Sequence, residues 1–194
     1  YHVMGGLQDN GSWVAPSSAP GGIKPGDWRA VHGGDGFWVV PDGIDPNIVY
    51  AESQGGEINR IDSRNLKAAA IRPQTSLANE KLRWNWNTPI VIGVANPKNL
   101  YTGAQYLFKS TNQGRGWIKI SPDLTTNNKR KMEQENSGGL SADNTSAENH
   151  CTIFSIAESP LDENLIWVGT DDGNLLVSVD GGKNWNNVAK NYAA

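Results

Sequence analysis

"LLVSVDGGKNW", Leu175 to Trp185, is apolar up to Val177, turns through Asp180-Gly181-Gly182, and returns on a tryptophan. That is the pattern of a β-hairpin with a glycine-dependent turn. "YLFKSTNQGRGW", Tyr106 to Trp117, repeats it: Ser110, Asn112, Gly114 and Trp117 stand in the register of Ser178, Asp180, Gly182 and Trp185. One such hairpin is ordinary, but two in register imply an internal repeat.

A second signature precedes each hairpin. "DPNIVYA" from Asp45, "NPKNLYT" from Asn96 and "DENLIWV" from Asp162 each run from Asx through turn-forming positions to an aromatic, Tyr50, Tyr101 or Trp167. The spacings, about 50 and 65 residues, match the ~40–50 residues of a propeller blade once insertions are allowed. Each unit then offers four short strands. The first strand of a unit is nearly continuous in apolar residues, as for a strand beside a central channel. We read an all-β, partial β-propeller as one domain, 1–194. It has an incomplete blade of three strands (1–35), blades at 36–73, 89–122 and 152–190, and a long polar loop at 124–150. Three and a fraction blades leave sheet edges and a flank open, so the remaining blades of a parent chain are expected partners.

Composition agrees with short strands and tight turns: the 194 residues include 22 Gly and 8 Trp. A net charge of −3 gives no basic footprint for nucleic acid. No apolar run approaches the ~18 residues of a membrane span, and no signal peptide is read. The one cysteine, Cys151, excludes an internal disulfide framework and is read as a buried structural residue. The three His are far apart in sequence, and "DDGN" at Asp171 is too short for a calcium loop, so neither metal nor cofactor is expected. "NGS" at Asn10 and "NTS" at Asn144 fit the glycosylation sequon.

"SVDGGKNW" resembles the Asp-box, or bacterial neuraminidase repeat, Ser-x-Asp-x-Gly-x-x-Trp; "STNQGRGW" is similar, with Asn112 at the Asp position. An Asn keeps the acceptor oxygen that the turn needs. Together with "GGLQDNGSW", "GGDGFWVVPD" and "SPLDENLIWVGTDDGNLLVSVDGGKNW", the chain looks like the bacterial sortilin-like propeller proteins often labelled glycosyl hydrolases. The resemblance implies secretion or a periplasmic location. It also implies that the box turns are structural and lie opposite the ligand face.

That ligand face is built by second-to-third strand turns and blade-to-blade connections. It collects Gln8 and Asp9, His32 and Asp35, Glu52 and Gln54, Gln105 and Tyr106, and Asp171 and Asp172, while the connection "PQTSLANEKLRWNWN" adds Arg83, Trp84 and Trp86. Sugars stack on exposed indoles and bond to Asp, Gln and Asn, so a glycan or a protein is the expected ligand. If "LRWNWN" is extended, Trp84 and Trp86 share one side and stand partly exposed near Asp35 and Gln54. The 124–150 loop is the second candidate. The competing reading is a glycoside hydrolase completed by missing blades. Such enzymes need two carboxyls roughly 5 to 9.5 Å apart, for which Asp9, Asp35, Glu52, Asp171 and Asp172 are the candidates. "VYAESQGGEINRID" resembles xyloglucanase-type enzymes but has Gln54 where they carry a catalytic Asp, so no catalytic residue is assigned.

Overall fold

The computed structural model describes residues 1–75, 80–136, 145–147 and 149–189. Asn144 of the second sequon, residues 76–79 of the tryptophan-bearing connection and much of the 124–150 loop lie outside them. The chain forms four antiparallel sheets in sequence order. The first has three strands: β1 (His2–Leu7), β2 (Gly11–Pro16) and β3 (Arg29–His32). The second contains β4 (Gly36–Pro41), β5 (Ile48–Ser53), β6 (Glu57–Asp62) and β7 (Lys67–Ala70). In the third are β8 (Ile90–Ile92), β9 (Leu100–Gly103), β10 (Leu107–Ser110) and β11 (Ile118–Lys119). The fourth holds β12 (Ile153–Glu158), β13 (Ile166–Thr170), β14 (Leu175–Ser178) and β15 (Asn186–Asn187). Every neighbour in a sheet is its neighbour in sequence, the meander of a propeller blade, and the whole is a partial β-propeller. No helix among the described residues is long and apolar enough to cross a membrane.

The core lies between sheets. Ile48, Tyr50 and Ile58 of the second sheet meet Ile90 and Leu100 of the third. Tyr101 and Leu107 of the third meet Ile153, Ile166, Val168 and Leu176 of the fourth. The most buried strands are the second of the two inner units: every residue of β5 and β9 is buried, whereas β4 is buried only at Gly36. Second strands are covered by a sheet on each face and a strand on each edge, while first strands keep one edge open. Among the described residues nothing covers the outer face of the first sheet, and Val3, Leu7 and Trp28 stand exposed there around an apolar hollow of about 360 Å³.

The two hairpin turns act as ties between sheets. In the later one Ser178 Oγ accepts the Gly182 N–H at 2.8 Å, and Asp180 Oδ1 accepts the Asn184 N–H at 2.9 Å. Ser110 Oγ and Asn112 Oδ1 do the same for Gly114 and Gly116, both at 2.9 Å. Those bonds hold Asp180 at a pKa of about 2, with the Asn184 N–H as the largest cause. Gly114 and Gly182 have φ of 75° and 95°, and each turn presses on the preceding sheet. A Cβ on Gly114 would lie 2.5 Å from Ile71 Cδ1, and one on Gly182 only 2.4 Å from the Ile120 carbonyl oxygen. Trp117 and Trp185 reach the same two places, donating to Ile71 O at 2.6 Å and Ile120 O at 3.3 Å. So each tryptophan closes the joint to the sheet before it, beyond capping its own hairpin.

Candidate functional site

Antiparallel order puts second-to-third strand turns and inter-sheet connections at one end, and first-to-second and third-to-fourth turns at the other. Contacts agree: Gln113 Nε2 of a third-to-fourth turn donates to Asp42 of a first-to-second turn at 3.2 Å. The hairpin turns therefore lie opposite the connection-bearing end.

Four of the sequence-predicted residues come together at that connection end. Asp35 Oδ1 accepts the Asp9 N–H at 2.8 Å, and Gln54 Oε1 accepts the Asp35 N–H at 2.7 Å. His32 Nε2 lies 3.2 Å from Ser53 Oγ, and burial lowers the His32 pKa. With Gly33 and Gly34 these residues line an open hollow between the first two sheets. The Asp35 and Gln54 side chains hold the turns that carry them, and Asp9 takes part through its backbone N–H.

The expectation for Trp84 is corrected. Its indole is 7% exposed, stacked on Phe108 at 6.1 Å and pressed by Gly56, where a Cβ would come within 2.9 Å of the ring. The segment around it is not an extended strand, so the two indoles do not form a common platform; Trp86 is half-buried and its carbonyl accepts the Gly55 N–H at 3.2 Å. Arg83 is a clamp: its Nε donates to Cys151 O at 3.0 Å and its Nη2 to Asp123 Oδ2 at 2.8 Å and Thr125 Oγ1 at 3.0 Å. Asp171 accepts Thr152 N–H at 2.9 Å and Thr152 Oγ1–H at 2.7 Å. Asp172 takes the Thr126 N–H and hydroxyl at 2.7 and 2.8 Å. Burial works to raise the Asp172 pKa, but the Thr170 and Thr126 donors outweigh it and hold it low. These two acids fasten loops, and neither is free to meet a ligand.

A second cleft, of about 460 Å³, opens between the second and third sheets at the same end. Gln54 and Gly55 form one wall, Arg72, Gln74 and Thr75 the strand exit, and Glu80, Lys81 and Leu82 the other side. Gln134, Ser146 and Asn149 of the long loop reach its rim. Trp84 lines it by the small part of its surface left open. The lining is amides, hydroxyls and charged heads. Arg72 pairs with Glu57 and donates to Gly55 O at 3.1 Å, and Asn149 Nδ2 donates to Trp84 O at 2.6 Å. Tyr106 and Thr75 bonds hold the Glu80 carboxyl below its usual range. Of the predicted residues, Gln54 and Trp84 line this cleft; Arg72, Gln74, Glu80, Lys81 and Asn149 were missed by sequence reasoning. Their only sequence signal was membership of the two interrupting connections.

One carboxyl nearby behaves differently. Glu52, at the end of β5, is 0% exposed; its Oε1 accepts the Thr88 N–H at 3.1 Å, and Oε2 has no partner in hydrogen-bond geometry. Burial pushes its pKa up to about 9, against the pull of the Thr88, Gly56 and Trp38 backbone N–H groups. The expectation that Glu52 faces a ligand is corrected: it is a neutral acid buried under the Gln54–Gly56 turn. Gln105, also expected there, is buried between the Arg83 N–H and the Lys81 carbonyl. Among the described residues no group of three His, Cys, Asp or Glu is placed to hold a metal ion.

No protein-family model matches the sequence, and no curated protein sequence matches it. Among solved structures, a GH74 enzyme of Niastella koreensis superposes on 96% of this chain and 27% of its own length, with a TM-score of 0.59 and 16% identity. The GH74 xyloglucanase of Xanthomonas campestris covers 89% of this chain and 26% of its own, at TM-score 0.48 and 13% identity. YCF48 of Cyanidioschyzon merolae covers 91% and 66%, at TM-score 0.35 and 14% identity. The likeness is one of fold. The chain spans about a quarter of the length of the GH74 enzymes it matches.

Proposed function

We propose that this chain is the blade-bearing part of a secreted, sortilin-like Asp-box propeller and binds a glycan in the cleft between its second and third sheets. The observation that carries this reading is the lining of that cleft. Its amides and hydroxyls, Gln54, Gln74, Thr75, Ser146 and Asn149, present both donors and acceptors, as ring hydroxyls require. The resemblance of both hairpins to the Asp-box supports the family part of the reading.

Hydrolysis is the second reading for a longer parent protein, kept because GH74 enzymes share the fold. For this chain, the acids argue for binding. A general acid needs a raised pKa together with access to the leaving oxygen. Glu52 has the first and lacks the second. Glu57 is ion-paired with Arg72, and Glu80 is held low. The test is a glycan array followed by calorimetry on the best binder, with Gln74→Ala as the cleft variant. Binding weakened several-fold by Gln74→Ala supports the cleft; undiminished binding removes it.

A further inference from the structure

A smaller pocket of about 180 Å³ adjoins the cleft, and Lys81, Gln134 and Asn149 belong to both. Arg83, Met132 and His150 complete it. Its charge differs from that of the cleft. The cleft balances Arg72 and Lys81 against Glu57 and Glu80. Among the described residues the pocket is lined by Lys81, Arg83 and His150, and by no acidic side chain. Two acids stand behind it, each committed. Asp123 is ion-paired with Arg83 at 2.8 Å, and Asp171 bonds Thr152 while lying 3.9 Å from His150 Nδ1. Among the described residues the Lys81 ammonium has no ion pair and no hydrogen-bond acceptor. With Arg83 offset by Asp123, the positive charge of this corner rests on Lys81.

We infer that the pocket seats an anionic substituent, carboxylate or sulfate, of the glycan in the adjoining cleft, so that the ligand is an acidic oligosaccharide. This rests on the glycan reading above and narrows it. Lys81 supplies an uncommitted cation at the junction, where it reaches an acid group on a sugar whose neighbours lie along Gln74 and Gln54. Arg83, fixed by three bonds and paired with Asp123, forms a fixed wall of the pocket without adding net charge. A free acid in bulk water would gain little from one exposed lysine; a tethered one is delivered to it by the rest of the chain.

Galactotriose, trigalacturonate and a sulfated galactotriose differ in the charge they carry on a common sugar. The readout is the ratio of acidic to neutral affinity, measured by calorimetry in low and high salt. In the wild type the acidic sugars bind about five-fold more tightly or better, and salt erodes the difference. Lys81→Gln brings the ratio close to one, and Lys81→Glu takes it below one. Lys81 is exposed, so neither variant threatens the fold. Preference for one acidic sugar over the other identifies the group. Equal binding of all three sugars, or a ratio unmoved by Lys81→Glu, overturns the inference. Galactotriose binding that Gln74→Ala weakens would leave the glycan reading standing in that event. Failure of all three sugars to bind defeats both.

Discussion

Glu52→Gln should stabilise this protein, and increasingly so as the pH rises. The carboxyl is wholly inaccessible, and its folded pKa of about 9 lies far above the 4.5 of the free side chain. A raised carboxyl pKa means that the folded chain keeps a proton which the unfolded chain releases. Below pH 4.5 both states hold it and nothing is lost. Between 4.5 and 9 the folded state alone binds the proton, so stability falls by about 1.4 kcal/mol for each pH unit. At pH 7 the accumulated cost is about 3 kcal/mol, and above pH 9 it saturates. Gln has the shape of the neutral acid and keeps an oxygen for the Thr88 N–H, so it removes the cost without opening a cavity. Urea unfolding of wild type and variant at pH 4.5, 6, 7 and 8 reads the difference directly. The curves should nearly coincide at the lowest pH and separate steadily above it. A constant offset, or a variant less stable at pH 8, would show that Glu52 is ionised in the folded chain and refute the reasoning.

Three further outcomes follow from the fold and the site. Gly182→Ala should cost about 1–3 kcal/mol in urea, since φ is positive and the new methyl meets a backbone carbonyl that cannot swing away; a variant of unchanged midpoint would deny the tie between the third and fourth sheets. Asp180→Ala should lower the melting temperature while leaving sugar affinity unchanged, because its oxygens serve Asn184 and Ser178 at the end opposite the cleft; loss of binding at full stability would reverse that assignment. Its low pKa makes the stabilisation fully present above the unfolded value near 3.8 and lost as pH falls through about 2. The isolated chain should not hydrolyse xyloglucan, β-glucan or sialosides, and turnover abolished by substituting Asp35 or Asp172 would promote the hydrolase reading.

Strands and sheet order were legible because their information is local. Asx turns, glycines with positive φ and alternation over four to six residues specify a hairpin before any tertiary contact exists. The signature through Tyr50, Tyr101 and Trp167 then phases the sheets. The site was less legible because its logic is long-range. Trp84 looks like a sugar platform until Phe108, in another sheet, is found stacked on it. Arg83 looks like a ligand residue until its partners Asp123 and Cys151 are placed. Asp171 and Asp172 carry the polarity of a binding loop and use it on Thr152 and Thr126. In each case the residue type was read correctly as polar or aromatic, and the partner that consumes it was invisible. Asp9, His32, Asp35 and Gln54 were read only as members of one face; they share an end because second-to-third turns and inter-sheet connections of a meander lie there together.

The cleft at the connection end is the proposed ligand surface. Amide chemical shifts of the labelled chain, followed while an oligosaccharide is titrated in, test it most directly. The account predicts shifts at Gln54, Gly55, Lys81, Leu82 and Asn149, with the turns at 112–116 and 180–184 unmoved. Shifts at those hairpin turns with the cleft silent would contradict it.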